Sequence, residues 1–309
     1  MDITQLQSEY GILGHVDFIE GAGGLPFIAI QNQNATGLIS LHGGQILSFK
    51  PKSENTDLLF LSKKSLYEDG KAIRGGIPVC WPWFGPDPKG LQRPNHGFVR
   101  NHLWSVNKTA STDAETTIVL EFTQSHKQET TWNYPFVLTL EFTLGQNLSL
   151  KLTTQNTGDK PFSITQAFHT YFRIGDINKA HVLGLENYRY FDKLDQGKQK
   201  IQSGAVTISE EVDRIYEDVD HHVVLNDPML NRQIEIVSAN CKTGVVWNPW
   251  QQSSRKMADL GNQDYKHFIC VETGNIAFDL IQVSPGSSHS LLTHYKIEKQ
   301  GSSSGKTGG

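Results

Sequence analysis

Residues 136–156, FVLTLEFTLGQNLSLKLTTQN, alternate apolar and polar side chains in two runs that a short turn separates. Apolar residues occupy every second position from 136 to 142 and again from 148 to 152. Successive side chains of a β-strand point to opposite faces, so each run predicts a strand with one buried face. The Gly-containing turn between the runs predicts an antiparallel hairpin.

Strand patterns of this kind recur along the chain, and helical patterns are few. Gly, Asn, Asp and Pro separate the strands at short intervals, and helix is favoured only at 62–70 and for one turn at 256–260. Many strands without alternating helices predict an all-β fold, a large antiparallel β-sandwich with few short helices. The other predicted strands cover residues 25–32, 35–51, 116–125, 205–209, 221–227, 232–240, 243–250, 268–276 and 289–299.

We expect one domain over residues 1–298, followed by a flexible tail at 299–309. The 309 residues exceed the usual length of a domain, but all-β architectures often run past about 200 residues as a single unit. The tail sequence QGSSSGKTGG contains no apolar residue and is rich in Gly and Ser, which is typical of a flexible segment.

The charge and the cysteine content limit the partners and the compartment. A formal net charge of -4 leaves no basic excess for a run of phosphates, so we expect no nucleic-acid partner. The three cysteines form no CxxC pair, which favours reduced thiols in a cytoplasmic protein. The N-terminus lacks the apolar region of a signal peptide, and no apolar run approaches 18 residues, so we expect no membrane association.

Four stretches place polar side chains in unusual surroundings and are candidates for a site. Each also has a structural interpretation: a packed aromatic loop, a turn histidine, a packed core histidine and a glutamate satisfied by backbone amides, in chain order. The stretches are 71–86 with Arg74, 92–106 with His96 and Arg100, 165–176 with His169, and 265–277 with Glu272.

The third stretch, TQAFHTYFRIGD, alternates in a way that a structure can test. On a strand, His169 shares one face with Ala167 and Tyr171, and the even-numbered residues 168–172 share the other. The sequence gives no support to several other well-known enzyme chemistries, because it contains no GxSxG, P-loop or dinucleotide-binding pattern. No HxH or HExxH spacing occurs, so we expect no metal.

Seven motifs follow one another along the chain: IRGGIPVCWPWFG, HGFVRNHLW, FHTYFRIGDI, VDRIYED, VWNPW, MADLGNQDYKHFICVETGNIA and VSPGSSHSLLTHY. In order and spacing they resemble the hexose-6-phosphate mutarotases, the glucose-6-phosphate 1-epimerase branch of the aldose 1-epimerase superfamily. The resemblance runs from about residue 20 to about residue 298. It implies the large β-sandwich of the galactose mutarotase-like proteins, and it implies interconversion of the α and β anomers of an aldohexose 6-phosphate without a cofactor.

The resemblance also implies a catalytic pair, His169 and Glu272. Mutarotation needs a base for the proton of the C1 hydroxyl and an acid for the ring oxygen O5, and positioned groups of this kind contribute about 10²–10⁴-fold. We expect Glu272 to be the base at the C1 hydroxyl and His169 to be the acid at O5. In this scheme Glu272 is ionised and His169 is protonated at rest, because a nearby carboxylate favours the protonated imidazole.

The substrate-binding positions implied by the resemblance are Arg74 of RGG, Arg100 of HGFVR and Asp213 of VDRIY. Asn95 stands where the family often has glutamine, and His96 resembles a galactose mutarotase histidine that binds the sugar near its ring oxygen. Arg74 and Arg100 can bind a phosphate bidentately. Further candidates are Lys193 for the phosphate and Trp81, Trp83 and Trp250 for stacking on the sugar.

Two other functions stay open. One is an aldose 1-epimerase that acts on non-phosphorylated hexoses such as galactose, and the other is a carbohydrate-binding protein without catalysis. The RGG arginine is missing from galactose mutarotases and therefore favours a phosphorylated sugar, for which glucose 6-phosphate is the expected example. The presence of both His169 and Glu272 favours an enzyme. We expect a monomer that binds a small sugar phosphate.

Overall fold

A computed structural model describes residues 2–123 and 132–299. Residues 300–309 of the predicted tail and the last two residues of the strand predicted at 116–125 lie outside these ranges. The predicted domain boundary at 298 stays a prediction. Within the described ranges, the α-helices are α1 (Ile3–Tyr10) and α2 (Trp250–Ser254), and 3-10 helices span Ala22–Gly24, Val99–Asn101, Lys193–Asp195 and Asp264–His267.

Strand is the predominant regular structure of the described residues, as the alternating patterns predict. The strands of the first half are β1 (Val16–Glu20), β2 (Pro26–Gln31), β3 (Ala35–Ser40), β4 (Gln45–Pro51), β5 (Val79–Cys80), β6 (Ser105–Ser111), β7 (Thr116–Thr123), β8 (Phe136–Leu144), β9 (Leu148–Asn156), β10 (Phe162–Ile164), β11 (Gln166–Phe168) and β12 (Tyr171–Arg173). The later strands are β13 (His181–Leu183), β14 (Arg189–Asp192), β15 (Lys198–Ile201), β16 (Val206–Thr207), β17 (Val212–Tyr216), β18 (His222–Asp227), β19 (Arg232–Ala239), β20 (Thr243–Asn248), β21 (Phe268–Asn275), β22 (Ile281–Val283) and β23 (Ser288–Lys299).

Two large sheets dominate the fold, and the pairings between their neighbouring strands are antiparallel. Over the described residues, one has nine strands in the order β16-β13-β18-β19-β23-β9-β8-β7-β6. The other has eight, in the order β15-β14-β17-β20-β21-β11-β5, with β12 also paired to β21. A four-stranded sheet, β1-β2-β3-β4, and the pair β10-β22 complete the strands. The predicted all-β fold is confirmed.

The predicted hairpin at 136–156 forms as β8 and β9. Leu140 lies opposite Leu152, and Phe142 lies opposite Leu150, so the apolar side chains of the two runs share one face. These four residues are at most 1% exposed. Burial of this face fixes the register, because a shift by one residue would turn every apolar side chain to solvent.

The main hydrophobic core lies between the two large sheets. It joins Leu150 and Tyr295 of the nine-stranded sheet to Phe168, Ile269 and Val271 of the eight-stranded sheet. Strand β21 is buried along its whole length, so its second face is covered too. The chain segments that cover this second face create the cleft described below.

The helix predicted at 62–70 is wrong, since those residues form turns and extended chain. Serine hydroxyls hydrogen-bond the backbone of this loop: Ser62 Oγ accepts from the N–H of Lys64, and Ser65 Oγ bonds both backbone groups of Arg74. Such local bonds compete with helix formation. The helical turn predicted at 256–260 is replaced by α2, which lies just before it. Within the described ranges, no helix has the length and apolar character to span a membrane.

Candidate active site

Four neighbouring strands of the eight-stranded sheet bring polar side chains to its second face. Asp213 on β17 lies opposite Trp247 on β20, and Val245 on β20 lies opposite Glu272 on β21. Since alternate residues of a strand share a face, Asp213, Trp247 and Glu272 project from the same side of the sheet. Three distant motifs of the sequence therefore meet in one row.

The strand that carries His169 is interrupted at the site. Phe168 of β11 pairs with Thr273, and β12 resumes opposite β21 at Tyr171, which pairs with Cys270. Two residues separate the paired positions on each strand, so the register is the same before and after the gap. His169 consequently lies opposite Glu272.

The predicted alternation across this gap is confirmed. Phe168 and Phe172 belong to the core between the sheets, and the Thr170 hydroxyl is 2.6 Å from the Tyr295 hydroxyl of β23. The His169 ring instead lies on the opposite side, stacked on the Tyr171 ring. His169 is therefore turned away from the core and towards the cleft.

His169 and Glu272 are in contact. His169 Nδ1 is 3.4 Å from Glu272 Oε1, and their side chains are 9% and 1% exposed. Aromatic rings hold the imidazole: Tyr171 is stacked at 4.9 Å with an interplanar angle of 9°, and the edges of His96 and Trp247 approach at 5.6 and 5.7 Å. The pair is fixed in position before a ligand binds.

Burial favours the uncharged form of both groups. It raises the pKa of Glu272 well above its usual value, and the nearby Asp213 raises it further. Burial also lowers the pKa of His169 well below its usual value, and the charges of Arg100 and Arg74 lower it further. These two directions oppose the ion pair predicted at rest, which stays a prediction. A protonated glutamic acid beside a neutral imidazole nevertheless holds one proton, the same number as the predicted ion pair.

A tight turn presents Asn95 and His96 to the cleft. The His96 N–H donates to the Gly85 carbonyl oxygen at 2.7 Å, and the Gly85 N–H donates to His96 Nδ1 at 3.3 Å. Nδ1 is thus an acceptor, which places the proton of a neutral ring on Nε2. Burial and the charge of Arg100 lower the pKa of His96 to about 3, so the ring is a neutral donor.

Arg100 lies behind this turn, on the 3-10 helix Val99–Asn101. Its Nη2 donates to the Asn95 carbonyl oxygen at 2.8 Å. Its Nε is buried and has no hydrogen-bond partner among the described residues. Arg100 therefore supports the turn, and its side chain also lines the cleft.

Arg74 is held from both sides. Its Nε and Nη2 contact Asp259 Oδ2 at 3.1 and 3.0 Å, and its Nη1 donates to the Tyr171 hydroxyl at 2.9 Å. Ser65 fixes its backbone. Of the five N–H donors of a guanidinium, these contacts use three and leave two for a ligand.

A second ion pair lies on the other side of the pair His169–Glu272. Lys193 Nζ is 3.1 Å from Asp213 Oδ2. Burial raises the pKa of Asp213, and the Lys193 charge opposes that rise. Lys193 begins the 3-10 helix Lys193–Asp195, so a cation and a carboxylate stand together at this end.

All seven predicted site residues line one cleft of about 240 Å³. Trp81 and Trp83 are instead buried in the core, and Trp250 packs against it, so their proposed stacking on a sugar is wrong. Trp247 lines the cleft in their place. The described residues contain no group of three His, Cys, Asp or Glu side chains arranged to hold a metal ion. The lining residues are Arg74, Phe84, Asn95, His96, Arg100, His169, Lys193, Asp213, Val245, Trp247, Met257 and Glu272.

The family follows from comparison with known proteins. The sequence profile of the family described as Aldose 1-epimerase matches residues 26–296. This chain belongs to the aldose 1-epimerase family. The predicted family is confirmed, and the protein is an isomerase with aldose epimerase activity.

This aldose 1-epimerase matches related proteins over most of their length. An Escherichia coli K12 protein named "Putative glucose-6-phosphate 1-epimerase" is 37% identical over 252 residues, 81% of this chain and 83% of that protein. A Salmonella typhimurium protein of the same name is 34% identical over 251 residues, with coverages of 81% and 83%. The crystal structure of a "putative mutarotase" from Salmonella typhimurium matches with a TM-score of 0.88 and 29% identity, over 96% of this chain and 99% of that chain.

Proposed function

We propose that this epimerase interconverts the α and β anomers of an aldohexose 6-phosphate, with glucose 6-phosphate as the preferred substrate. The observation that carries the proposal is that one cleft contains both the pair His169–Glu272 and three cationic side chains, Arg74, Arg100 and Lys193. The names of the two bacterial relatives support the same substrate.

The reaction needs two proton transfers in each direction. The Glu272 carboxylate takes the proton of the C1 hydroxyl while the His169 imidazolium gives a proton to O5, and the C1–O5 bond breaks as the C1 carbonyl forms. After rotation about C1–C2, O5 attacks the other face of C1, the imidazole takes back the O5 proton, and Glu272 returns its proton to O1. The pair ends with the same single proton with which it began.

Substrate binding would favour the charged form of His169 that this scheme requires. The charges of Arg100 and Arg74 contribute to the low pKa of the imidazole. A phosphate dianion bound to these two arginines cancels part of their positive field, and an anion near an imidazole favours the protonated ring. The same anion weakens the field of Arg100 at Glu272, whose pKa that arginine lowers, so phosphate binding raises the proton affinity of both groups of the pair.

The arginine side chains of the cleft suit the phosphate. Arg74 keeps two N–H groups beyond its contacts with Asp259 and Tyr171, and the Arg100 guanidinium belongs to a residue that lines the same cleft. Arg–phosphate hydrogen bonds are charge-assisted and geometrically specific. Asp213 and the neutral His96 remain for the sugar hydroxyls and the ring oxygen.

Anomer exchange measured by NMR tests the proposal. Freshly dissolved α-glucose 6-phosphate and α-galactose are each followed with and without protein, and the spontaneous rate is subtracted. We expect acceleration of glucose 6-phosphate exchange well above that of galactose. Faster galactose exchange would indicate an epimerase for free hexoses, and no acceleration of glucose 6-phosphate would contradict the proposal.

A substitution of Arg74 tests the phosphate contact. A hydrogen bond to a charged group contributes about 1.5–3 kcal/mol, so Arg74→Ala should raise KM for glucose 6-phosphate by roughly 10- to 100-fold. Arg189→Ala is the matched control, because it removes the same charge from an exposed side chain paired with Glu217 outside the cleft. An unchanged KM in Arg74→Ala would show that the phosphate binds elsewhere.

A further inference from the structure

Tyr171 lies beneath the cleft, between two groups that have separate tasks in the proposed function. Its ring is stacked on the His169 imidazole, and its hydroxyl oxygen accepts a hydrogen bond from Arg74 Nη1 at 2.9 Å. The residue is 1% exposed and does not line the cleft. Any effect of Tyr171 on a substrate must therefore pass through its neighbours.

The backbone and the ring of Tyr171 are firmly held. Its N–H donates to the Gly76 carbonyl oxygen at 3.0 Å, and it pairs with Cys270 in the sheet. Its ring packs against Phe268 at 5.3 Å between centroids and against Trp247 at 6.0 Å. A rigid ring of this kind is a suitable support for a neighbouring imidazole, because misplacement of a reacting group by about 1 Å can cost about 10²-fold in rate.

The two contacts of Tyr171 use different parts of its side chain. The stacked contact with His169 needs only the ring, so phenylalanine can reproduce it. The contact with Arg74 needs the hydroxyl, which phenylalanine lacks. Asp259 holds the same guanidinium from its Nε side, so loss of the Tyr171 hydroxyl would free one end of Arg74 while the other stays bound.

We propose that Tyr171 is a positioning residue for both parts of the reaction: its ring orients His169 for proton transfer, and its hydroxyl orients Arg74 for the phosphate. The inference rests on the proposed function of these two residues. It adds a direct physical link between phosphate recognition and proton transfer, since one side chain touches both groups.

Two substitutions at this position should have different kinetic effects on glucose 6-phosphate exchange. Tyr171→Phe should raise KM roughly three- to tenfold, in line with one lost hydrogen bond, and should change kcat less than about twofold. Tyr171→Leu removes the ring as well and should also lower kcat by roughly 10- to 100-fold. Circular dichroism and urea unfolding establish that each variant is folded. A purely structural role would not separate KM from kcat in this way.

A double-mutant cycle tests whether the hydroxyl acts through Arg74. In the Arg74→Ala background, Tyr171→Phe should raise KM no further, whereas Tyr171→Leu should still lower kcat. Tyr216→Phe is the control, because it removes another buried hydroxyl, which donates to Gln202 Oε1 at 2.7 Å, in a residue that does not line the cleft. We expect its kcat and KM to equal those of the wild type.

The outcomes distinguish this inference from the proposed function. A wild-type protein that does not accelerate glucose 6-phosphate exchange contradicts the proposed function itself. An active wild type with an unchanged KM in Tyr171→Phe, or an unchanged kcat in Tyr171→Leu, contradicts only the inference about Tyr171. A KM effect of Tyr171→Phe that persists in full without Arg74 would likewise overturn the proposed link.

Discussion

Glu272 combines a proposed role in proton transfer with a position that disfavours its charge. Its side chain is 1% exposed, and burial raises its pKa. Glutamine has nearly the same shape but cannot take a proton from the sugar. We therefore expect Glu272→Gln to lower kcat for anomer exchange by at least about 10²-fold, the contribution of a positioned base, with little change in the affinity for glucose 6-phosphate measured by calorimetry. Retained exchange would remove Glu272 from the mechanism.

The same substitution should stabilise the fold, by an amount that depends on pH. A carboxyl with a raised pKa binds its proton more tightly in the folded chain, so the wild type loses stability as pH rises above the unfolded value of about 4.3. Glutamine does not titrate. In urea unfolding, the free energy gained by Glu272→Gln should thus be larger at about pH 8 than at about pH 4.5. An equal gain at both pH values would contradict the raised pKa.

The residues of the cleft differ in how far sequence could predict them. His169, Glu272 and four other predicted residues stand in the quoted motifs, and the structure brings them into one cleft as expected. Asp259 also stands in one of these motifs, but its contact with Arg74 spans 185 positions and no local pattern indicates it. Trp247 was not predicted as a site residue. Its place beside Asp213 follows only from the pairing of β17 with β20, which the sequence does not reveal.

At the scale of elements, the turn that carries Asn95 and His96 depends on Gly97. Its φ is +75°, and a Cβ there would lie 1.7 Å from the Trp81 carbonyl oxygen. The left-handed conformation alone costs a larger residue about 1–2 kcal/mol, and the clash adds to it. We expect Gly97→Ala to lower the free energy of unfolding by more than about 2 kcal/mol and to raise KM by displacing the turn.

Gly90→Ala is a matched control on the same loop. Gly90 also has a positive φ, of +64°, but a Cβ there would meet no atom within 4 Å. This variant should therefore show only the conformational cost, about 1–2 kcal/mol in urea unfolding, and leave KM unchanged. Equal effects of the two substitutions on stability and KM would show that the close approach of Gly97 to Trp81 is unimportant.

The strands themselves were largely predictable, and their interruptions were not. Alternation of side chains gave both strands of the hairpin 136–156 and the correct face of His169. It could not give the gap between β11 and β12, where the His169 N–H donates to the Pro78 carbonyl oxygen and the Tyr171 N–H to that of Gly76. The segment 76–78, whose carbonyl groups accept these two hydrogen bonds, is distant in sequence from the interrupted strand, so no local pattern indicates it. The wrong helix at 62–70 has a similar cause, since its serines bond a loop that contains Arg74.

At the scale of the whole molecule, the charge distribution is compatible with the phosphorylated ligand proposed for this acidic protein. The formal net charge is -4, yet Arg74, Arg100 and Lys193 converge on one cleft. The two sheets make this convergence possible, because the core between them leaves the second face of the eight-stranded sheet for the site. Composition predicts only that local cations are needed, whereas the topology decides where they meet.

The contact between the sheets directly behind the site should also be measurable as a coupling. The Thr170 hydroxyl lies 2.6 Å from that of Tyr295, and both residues are buried. A buried polar group left without its partner costs about 1–3 kcal/mol, whereas replacing both partners by apolar groups can be nearly neutral. Thr170→Val and Tyr295→Phe should each destabilise the protein by about 1–3 kcal/mol in urea unfolding.

The double variant decides whether this contact couples the sheets. Because it leaves neither hydroxyl unpaired, it should lose clearly less stability than the sum of the two single variants, which gives an interaction energy of about 0.5–3 kcal/mol for residues in contact. Strictly additive losses would mean that the two hydroxyls contribute independently. In that case the hydrogen bond would not couple the two sheets, and the direct contact behind His169 would be the packing of Phe172, whose ring meets that of Tyr295 edge-on at 5.3 Å.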